Sequence, residues 1–127
     1  MRTFLMLGSI NLFLAVALGA FGAHGLKDIV SERMLANWQT GVHYHMIHAL
    51  GMLAIAAFGD RLRAKKQARI AGWLFLIGIF FFAGSLYAMA PTGILILGAI
   101  TPIGGVCFLV GWFLLFYAAL KEPKASA

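Results

Sequence analysis

Three histidines and a tyrosine lie close together in one apolar stretch, and their spacing decides what chemistry they can share. The stretch 38–50 reads WQTGVHYHMIHAL. On an α-helix, which turns about 100° per residue, Tyr44 and His48 fall on one face. His45 lies at the edge of that face, and His43 points almost the opposite way. His48 is therefore the histidine that we expect deepest in the protein.

The face that carries Tyr44 and His48 predicts a polar cluster inside an otherwise apolar protein. Such a cluster can relay protons or bind a polar ligand, because histidine titrates near neutral pH. It can also serve only as a set of hydrogen bonds between helices, which is the interpretation that we favour. The candidate binding residues are Asn11, Thr40, Tyr44, His48 and Ser85.

A metal or haem site is the other chemistry that these histidines suggest. His24 follows the first apolar stretch and His43 and His45 open the second, so the three are weak candidates for a metal site. Their spacing matches no common zinc or copper pattern. A haem held by two histidines needs a second deep histidine on a facing helix, and the apolar stretches after residue 69 contain none. We expect no metal and no cofactor.

Catalytic residues are not indicated either. No acidic residue lies within the four apolar stretches described below, and the sequence contains no Ser-His-acid set, phosphate loop or zinc-hydrolase pattern. Isolated serines and cysteines are common in membrane helices without a chemical role. We therefore expect the protein not to be an enzyme.

The amino-acid composition indicates that these residues lie on membrane-spanning helices. Of 127 residues, 62% are hydrophobic and only 11% are charged, whereas soluble domains are about 25% charged. This composition excludes a soluble enzyme, a disordered tail and a secreted disulfide scaffold. A helix needs about 20 apolar residues to cross a bilayer, and four segments qualify. We expect a single all-α domain over 1–127, an integral membrane four-helix bundle with helices at about 3–23, 38–58, 70–90 and 102–120.

The charges predict how the bundle is oriented. The net charge is +6, and the cations concentrate on the side that holds both termini and the 59–69 loop. Because basic loops stay in the cytoplasm, we expect both termini on the cytoplasmic side of the bacterial inner membrane. The cations then face anionic lipid rather than nucleic acid. Those on the terminal side are Arg2, Arg61, Arg63, Lys65, Lys66, Arg69, Lys121 and Lys124, against Lys27 and Arg33 on the other.

Two outer loops carry their own patterns. Residues 26–38 place apolar side chains three and four apart, which predicts a short amphipathic helix at the outer interface with Trp38 at headgroup depth. Ser31 could instead cap the second helix, or the stretch could continue into it. Residues 91–101 are uncharged and should cap the bundle or dip into the interface. Thr101 and Pro102 are typical of an N-cap followed by the first helical residue.

Small residues predict where the helices pack. Inside lipid the hydrophobic effect contributes little to helix association, so the helices associate through close van der Waals contacts that small side chains permit. In the first helix they fall on one narrow face together with one amide. In the third and fourth helices they recur every seven residues, which suits near-parallel packing. The three sets are Gly8, Asn11, Ala15, Gly19 and Gly22; Ala71, Gly78 and Ser85; and Gly104, Gly111 and Ala118.

Four ordered motifs resemble those of the small membrane proteins of domain-of-unknown-function family 423. Residues 19–26 read GAFGAHGL, and the second helix is similar to the pattern W-x-T-G/A followed by Y-x-x-x-H-A-L. Residues 84–87, GSLY, and 101–105, TPIGG, followed by Gly111 and Trp112, resemble the third and fourth motifs. The resemblance implies four membrane helices and supplies no activity. It selects His24, Trp38, Thr40, Tyr44, His48, Ser85, Tyr87, Thr101 and Pro102.

The sequence as a whole favours a non-catalytic accessory, scaffold or lipid-contacting subunit of the membrane. Its partners would be membrane lipids and either further copies of itself or a larger membrane protein, with no nucleic acid. A small transporter or proton-linked channel subunit that uses Tyr44 and His48 is the alternative. A metal or haem redox module is the second alternative.

Overall fold

The protein consists of four long helices joined by short turns. A computed structural model describes residues 1–125. The helices are α1 (Arg2–His24), α2 (Glu32–Phe58), α3 (Lys65–Thr92) and α4 (Thr101–Leu120), with short 3-10 turns at Gly59–Arg61 and Leu95–Ala99. Each of the four is long and apolar enough to cross a membrane. The predicted all-helical membrane fold is confirmed.

Each helix packs most extensively against its neighbour in the chain, α1 on α2, α2 on α3 and α3 on α4. The two middle helices are about twice as buried as the two outer ones over their apolar stretches. They therefore form the centre of the bundle. The outer helices expose large apolar side chains such as Phe13 and Leu109, which are 68% and 72% exposed. That surface suits hydrocarbon rather than water.

The main core lies in the half of the bundle nearer the termini. Phe75 of α3 and Met52 and Ile55 of α2 are its largest fully buried side chains, and Phe4 of α1 packs against them. A second, smaller cluster lies at the end of the bundle remote from the termini, the outer end, where Leu26, Trp38, Val42 and Ala90 bring the turn after α1 together with α2 and α3. Between these two clusters lie the polar side chains of α2.

The predicted small-residue faces lie at the helix interfaces. A Cβ atom at Gly8 of α1 would stand 2.8 Å from Leu53 Cδ2 of α2. At Gly104 of α4 it would stand 2.6 Å from the Gly78 carbonyl oxygen of α3. At Gly104 only glycine permits this approach, because the neighbouring atoms are backbone and cannot rotate away.

The predicted amphipathic helix over residues 26–38 is wrong as a separate element. Residues 25–30 form turns, and α2 begins at Glu32 after Ser31, whose Oγ accepts a hydrogen bond from the Met34 N–H at 3.2 Å. Leu26 is buried in the outer cluster and ties the turn to the bundle. The alternative in which Ser31 caps the second helix is confirmed.

The connection before α4 also differs from the expected cap. The N-cap residue is Ile100 and has no side-chain cap, while Thr101 is already helical. The hydroxyl of Thr101 bonds to Ser85 of α3 and so is used between helices rather than as a cap. Upstream, α3 ends at Gly93, where a left-handed φ of 69° lets its N–H reach the Met89 carbonyl at 2.8 Å.

Candidate functional site

His45 of α2 is the centre of a buried hydrogen-bond network that joins three helices. Its Nε2 lies 2.9 Å from Asn11 Oδ1 of α1, and its Nδ1 lies 2.9 Å from Tyr87 Oη of α3. The Asn11 amide donates its own hydrogen to the Leu7 carbonyl at 2.8 Å, so Oδ1 is free to accept. In the neutral imidazole the proton is therefore on Nε2, and Nδ1 accepts from the Tyr87 hydroxyl. Every hydrogen-bonding group in this network has a partner.

Trp38 closes the outer end of the same interface. Its indole N–H donates to the Leu18 carbonyl of α1 at 2.9 Å, and its ring centroid lies 4.8 Å from that of Tyr87. Gly22 of α1 makes room for the indole, since a Cβ there would stand 2.6 Å from the ring. Trp38 is only 4% exposed. The indole is thus enclosed by α1 and α3, and its expected position at headgroup depth stays a prediction.

His48, one turn further along α2, belongs to a different network. Its Nδ1 donates to the Tyr44 carbonyl at 2.7 Å, while its Nε2 accepts the indole N–H of Trp112 at 2.9 Å. An indole nitrogen can only donate, so the proton of the neutral imidazole must be on Nδ1. The ring stacks on Phe108 with centroids 3.5 Å apart. His48 thus connects α2 to α4, which are otherwise not packed against each other extensively.

A groove opens beside His48 between α2 and α4. Its volume is about 710 Å³, which lies in the range of about 300–1,000 Å³ typical of ligand pockets. Within the groove the ring centroids of Phe82 of α3 and Tyr44 are 4.4 Å apart, and Tyr44 is 41% exposed. The lining residues are His43, Tyr44, Ile47, His48, Phe82, Pro102, Gly105, Val106, Phe108, Leu109 and Trp112.

Ser85 and Thr101 form a third polar contact, between α3 and α4. The Ser85 hydroxyl donates to the Phe82 carbonyl at 2.8 Å, so Thr101 Oγ1, which lies 2.6 Å away, must be the donor to Ser85. Neither residue reaches His45 or His48. This contact fixes the α3–α4 interface at the outer end of the bundle.

The structure does not bring the five predicted binding residues into one cluster. Asn11 pairs with His45, Ser85 pairs with Thr101, and His48 pairs with Trp112. Thr40 is exposed and donates to the Ala36 carbonyl of its own helix. Only Tyr44 and His48 of the five line the same groove.

The weak metal candidates are also separated. His24 and His43 are exposed, whereas His45 is 3% exposed and engaged on both ring nitrogens. Within residues 1–125 no three side chains of His, Cys, Asp or Glu lie close enough to hold a metal ion.

The sequence analysis missed two residues of these hydrogen-bond networks, His45 as the central histidine and Trp112 as the partner of His48. A signal for the first was present, because the positions 38, 41, 45, 48, 52 and 55 follow one another at alternating spacings of three and four. All six are buried on α2. Trp112 gave no spacing signal, since the residue is 42% exposed although its indole packs against Phe75 and His48.

Comparison with known proteins places the chain among bacterial membrane proteins. Residues 18–105 match the family described as "Protein of unknown function (DUF423)". The UPF0382 membrane protein YwdK of Bacillus subtilis is 50% identical over 95% of this chain and 98% of its own length. UPF0382 membrane proteins of Staphylococcus epidermidis and Staphylococcus aureus are 47% and 44% identical over the same shares. No solved structure matches the chain.

Proposed function

Since the chain belongs to the DUF423 family of membrane proteins, we propose that it is a non-catalytic accessory protein of the bacterial inner membrane that binds a lipid chain. The site is the groove between α2 and α4. The single observation that carries the proposal is this cavity of about 710 Å³, lined by aromatic and aliphatic side chains and placed within the membrane-spanning part of both helices. Inside a bilayer, the medium beside such a groove is hydrocarbon.

The dimensions of the groove suit one leaflet of the bilayer. Along α4 it extends from Pro102 to Trp112, a rise of about 15 Å at 1.5 Å per residue. The hydrocarbon core of a bilayer is about 30 Å thick, so the groove runs from the outer end of the bundle to about the midplane. The His48–Trp112 hydrogen bond lies at its inner end. A single acyl chain of the outer leaflet fits this length.

The chemistry of the lining favours a hydrocarbon over a polar solute. Both ring nitrogens of His48 are already used, one by the Tyr44 carbonyl and one by Trp112. A second proton on the imidazole would point at the indole N–H, which cannot accept it. The side chains that the groove offers a ligand are mainly apolar, the aliphatic Val106 and Leu109 and the half-exposed ring of Tyr44. A proton-linked transport role would need His48 to release one of its partners.

Filling the groove tests the proposal. A Cβ atom at Gly105 meets only Phe82 Cδ2, at 4.0 Å, so Gly105→Leu places a side chain in the groove without displacing backbone. Gly84 of α3 has nothing within 4 Å of its Cβ position and lies outside the groove. Gly84→Leu is therefore the matched control. The probe is a phospholipid with a photoreactive diazirine on its acyl chain, reconstituted with each protein in nanodiscs.

We expect the lipid to label groove residues of the wild type and of Gly84→Leu, and to label them several-fold less in Gly105→Leu. Thermal unfolding confirms that both variants are folded. Equal labelling in all three proteins would overturn the proposal. So would a native mass spectrum in which the wild type is a lipid-free dimer that Gly105→Leu dissociates, because a second copy would then occupy the groove.

A further inference from the structure

A second pocket lies at the other end of α4, where the chain leaves the membrane. It has a volume of about 340 Å³ and is lined by Arg63, Ala64, Gln67, Tyr117 and Lys121. We propose that this basic pocket binds the phosphate group of an anionic lipid. The proposal is independent of the groove between α2 and α4, which lies toward the opposite membrane surface.

The two cations of the basic pocket, Arg63 and Lys121, have no ion-pair partner among residues 1–125. No acidic side chain lines the basic pocket. Asp60 is engaged by Arg69 at 3.0 Å and by the terminal amine of Met1 at 3.7 Å. Two cations that share a cavity without a counter-ion attract an anion from solution or from the membrane surface.

Glu122 is the acidic residue next to Lys121 in the chain. Its carboxylate accepts a hydrogen bond from the backbone N–H of Arg63. This contact uses the main chain of Arg63 and leaves the guanidinium available. It also ties the end of α4 to the connection between α2 and α3, so that the two sides of the basic pocket stay together.

The donors of the basic pocket suit a phosphate. Arginine presents a planar fork of N–H groups that matches two phosphate oxygens, and lysine supplies a compact charge. The Lys121 ammonium lies 5.0 Å from the ring centroid of Tyr117, which holds it over the cavity side of α4. Gln67 adds an amide donor from the first turn of α3.

The surroundings of the basic pocket favour a lipid over free phosphate. Directly before it, α4 exposes Phe113, Phe116 and Leu120, which are 65%, 59% and 65% exposed. A lipid places its phosphate among the cations and its acyl chains along these side chains, whereas a free ion gains only the first contact. The distribution of cations predicts that this end faces the cytoplasm, where basic clusters meet anionic lipid.

The test compares two pairs of substitutions that remove the same charge. Arg63→Gln with Lys121→Gln, the pocket variant, removes both cations of the basic pocket. Lys65→Gln with Lys66→Gln, the control variant, removes two cations at the start of α3 that do not line it. Native mass spectrometry from mild detergent measures binding of phosphatidylglycerol, with phosphatidylcholine as the zwitterionic reference. A parallel series contains millimolar inorganic phosphate as competitor.

We expect the wild type to bind phosphatidylglycerol on the order of tenfold more tightly than phosphatidylcholine. That preference should disappear in the pocket variant, persist in the control variant, and resist inorganic phosphate. Equal losses in both variants would show general attraction to a basic surface and overturn the site. Displacement by inorganic phosphate would assign the basic pocket to a soluble anion and overturn the lipid as its ligand.

Discussion

His45 and His48 lie three residues apart on α2 and face two different environments. Both are 3% exposed and both use their two ring nitrogens. Yet His45 carries its proton on Nε2 and is enclosed by α1 and α3, whereas His48 carries it on Nδ1 and borders an open groove. The same residue type thus holds a closed interface in one case and lines a cavity in the other.

The two histidines serve their interfaces in different ways. In the closed interface, His45 bonds Asn11 Oδ1 of α1 and the Tyr87 hydroxyl of α3, two buried groups that would otherwise lack this partner. At the groove, His48 has one side-chain partner, Trp112, and its ring forms a wall that a ligand can touch. A buried polar residue therefore does not by itself mark a cavity. The groove exists because α2 and α4 are not packed against each other beside His48.

Removal of each histidine should affect stability unequally, and this is the largest effect that we expect. His45→Ala leaves Asn11 Oδ1 and the Tyr87 hydroxyl without their partner in a closed space and should cost about 3 kcal/mol of unfolding free energy. His48→Ala leaves only the Trp112 N–H, beside a groove that lipid can enter, and should cost about 1–2 kcal/mol. Reversible denaturation in mixed micelles measures both. Equal losses of unfolding free energy in His45→Ala and His48→Ala would contradict the distinction between the closed interface and the groove.

Two glycine substitutions extend the comparison to the backbone. Gly22→Ala places a Cβ 2.6 Å from the Trp38 ring and should strain the Trp38–Leu18 hydrogen bond, at a cost of about 1–3 kcal/mol. Gly105→Ala, at the groove, meets only one atom, at 4.0 Å, and should be neutral or stabilising by up to about 1 kcal/mol. The same denaturation assay reports both. A destabilised Gly105→Ala variant would mean that the groove is closed.

Replacement of His48 by glutamine separates a structural role from proton transport. The glutamine carbonyl can accept the Trp112 N–H, so His48→Gln should cost less than about 1 kcal/mol. Liposomes that contain either the wild type or this variant should show the same proton permeability as empty liposomes. A pH-dependent flux that is present in the wild type and absent in His48→Gln would favour the transport alternative instead.

An exposed charge pair gives the smallest effect and a reference for the buried contacts. The Arg69 guanidinium beside Asp60 holds the pKa of that carboxyl below its usual range. A lowered pKa stabilises the fold above the unfolded value of about 3.9, and this contribution disappears as the pH falls through the lower folded value. Because Asp60 is exposed, Asp60→Asn should lower the thermal midpoint only slightly at pH 7 and less at high salt. A shift as large as that of His45→Ala would contradict this ranking.

Sequence reasoning succeeded for the features that lipid itself imposes. A bilayer requires long apolar helices and close contacts through small residues, and these follow from run length and from the spacing of residues such as Gly78 and Gly104. It also placed Tyr44 and His48 on one face of α2, where both line the groove. The cations on the terminal side are evident from the sequence, whereas the pocket that Arg63 and Lys121 share is not.

What sequence reasoning could not determine was which helix each face of α2 meets. Because α2 is central, it buries a wide arc against both α1 and α3, and the arc includes His45 as well as His48. A wheel gives relative angles and no partner, so Asn11 was grouped with His48 although it bonds to His45. The pairing of Ser85 with Thr101 likewise depends on the α3–α4 turn, which has no periodic signal.

The most direct test of the lipid-filled groove is an NMR measurement in nanodiscs of nuclear Overhauser effects between acyl-chain protons and buried aromatic rings. The rings of His48 and Phe108 are each only 3% exposed and line the groove, so an acyl chain can reach them only from within it. We predict contacts from the acyl chain to both rings and none to the equally buried ring of His45. Absence of contacts at His48 and Phe108, or equal contacts at His45, would contradict the account.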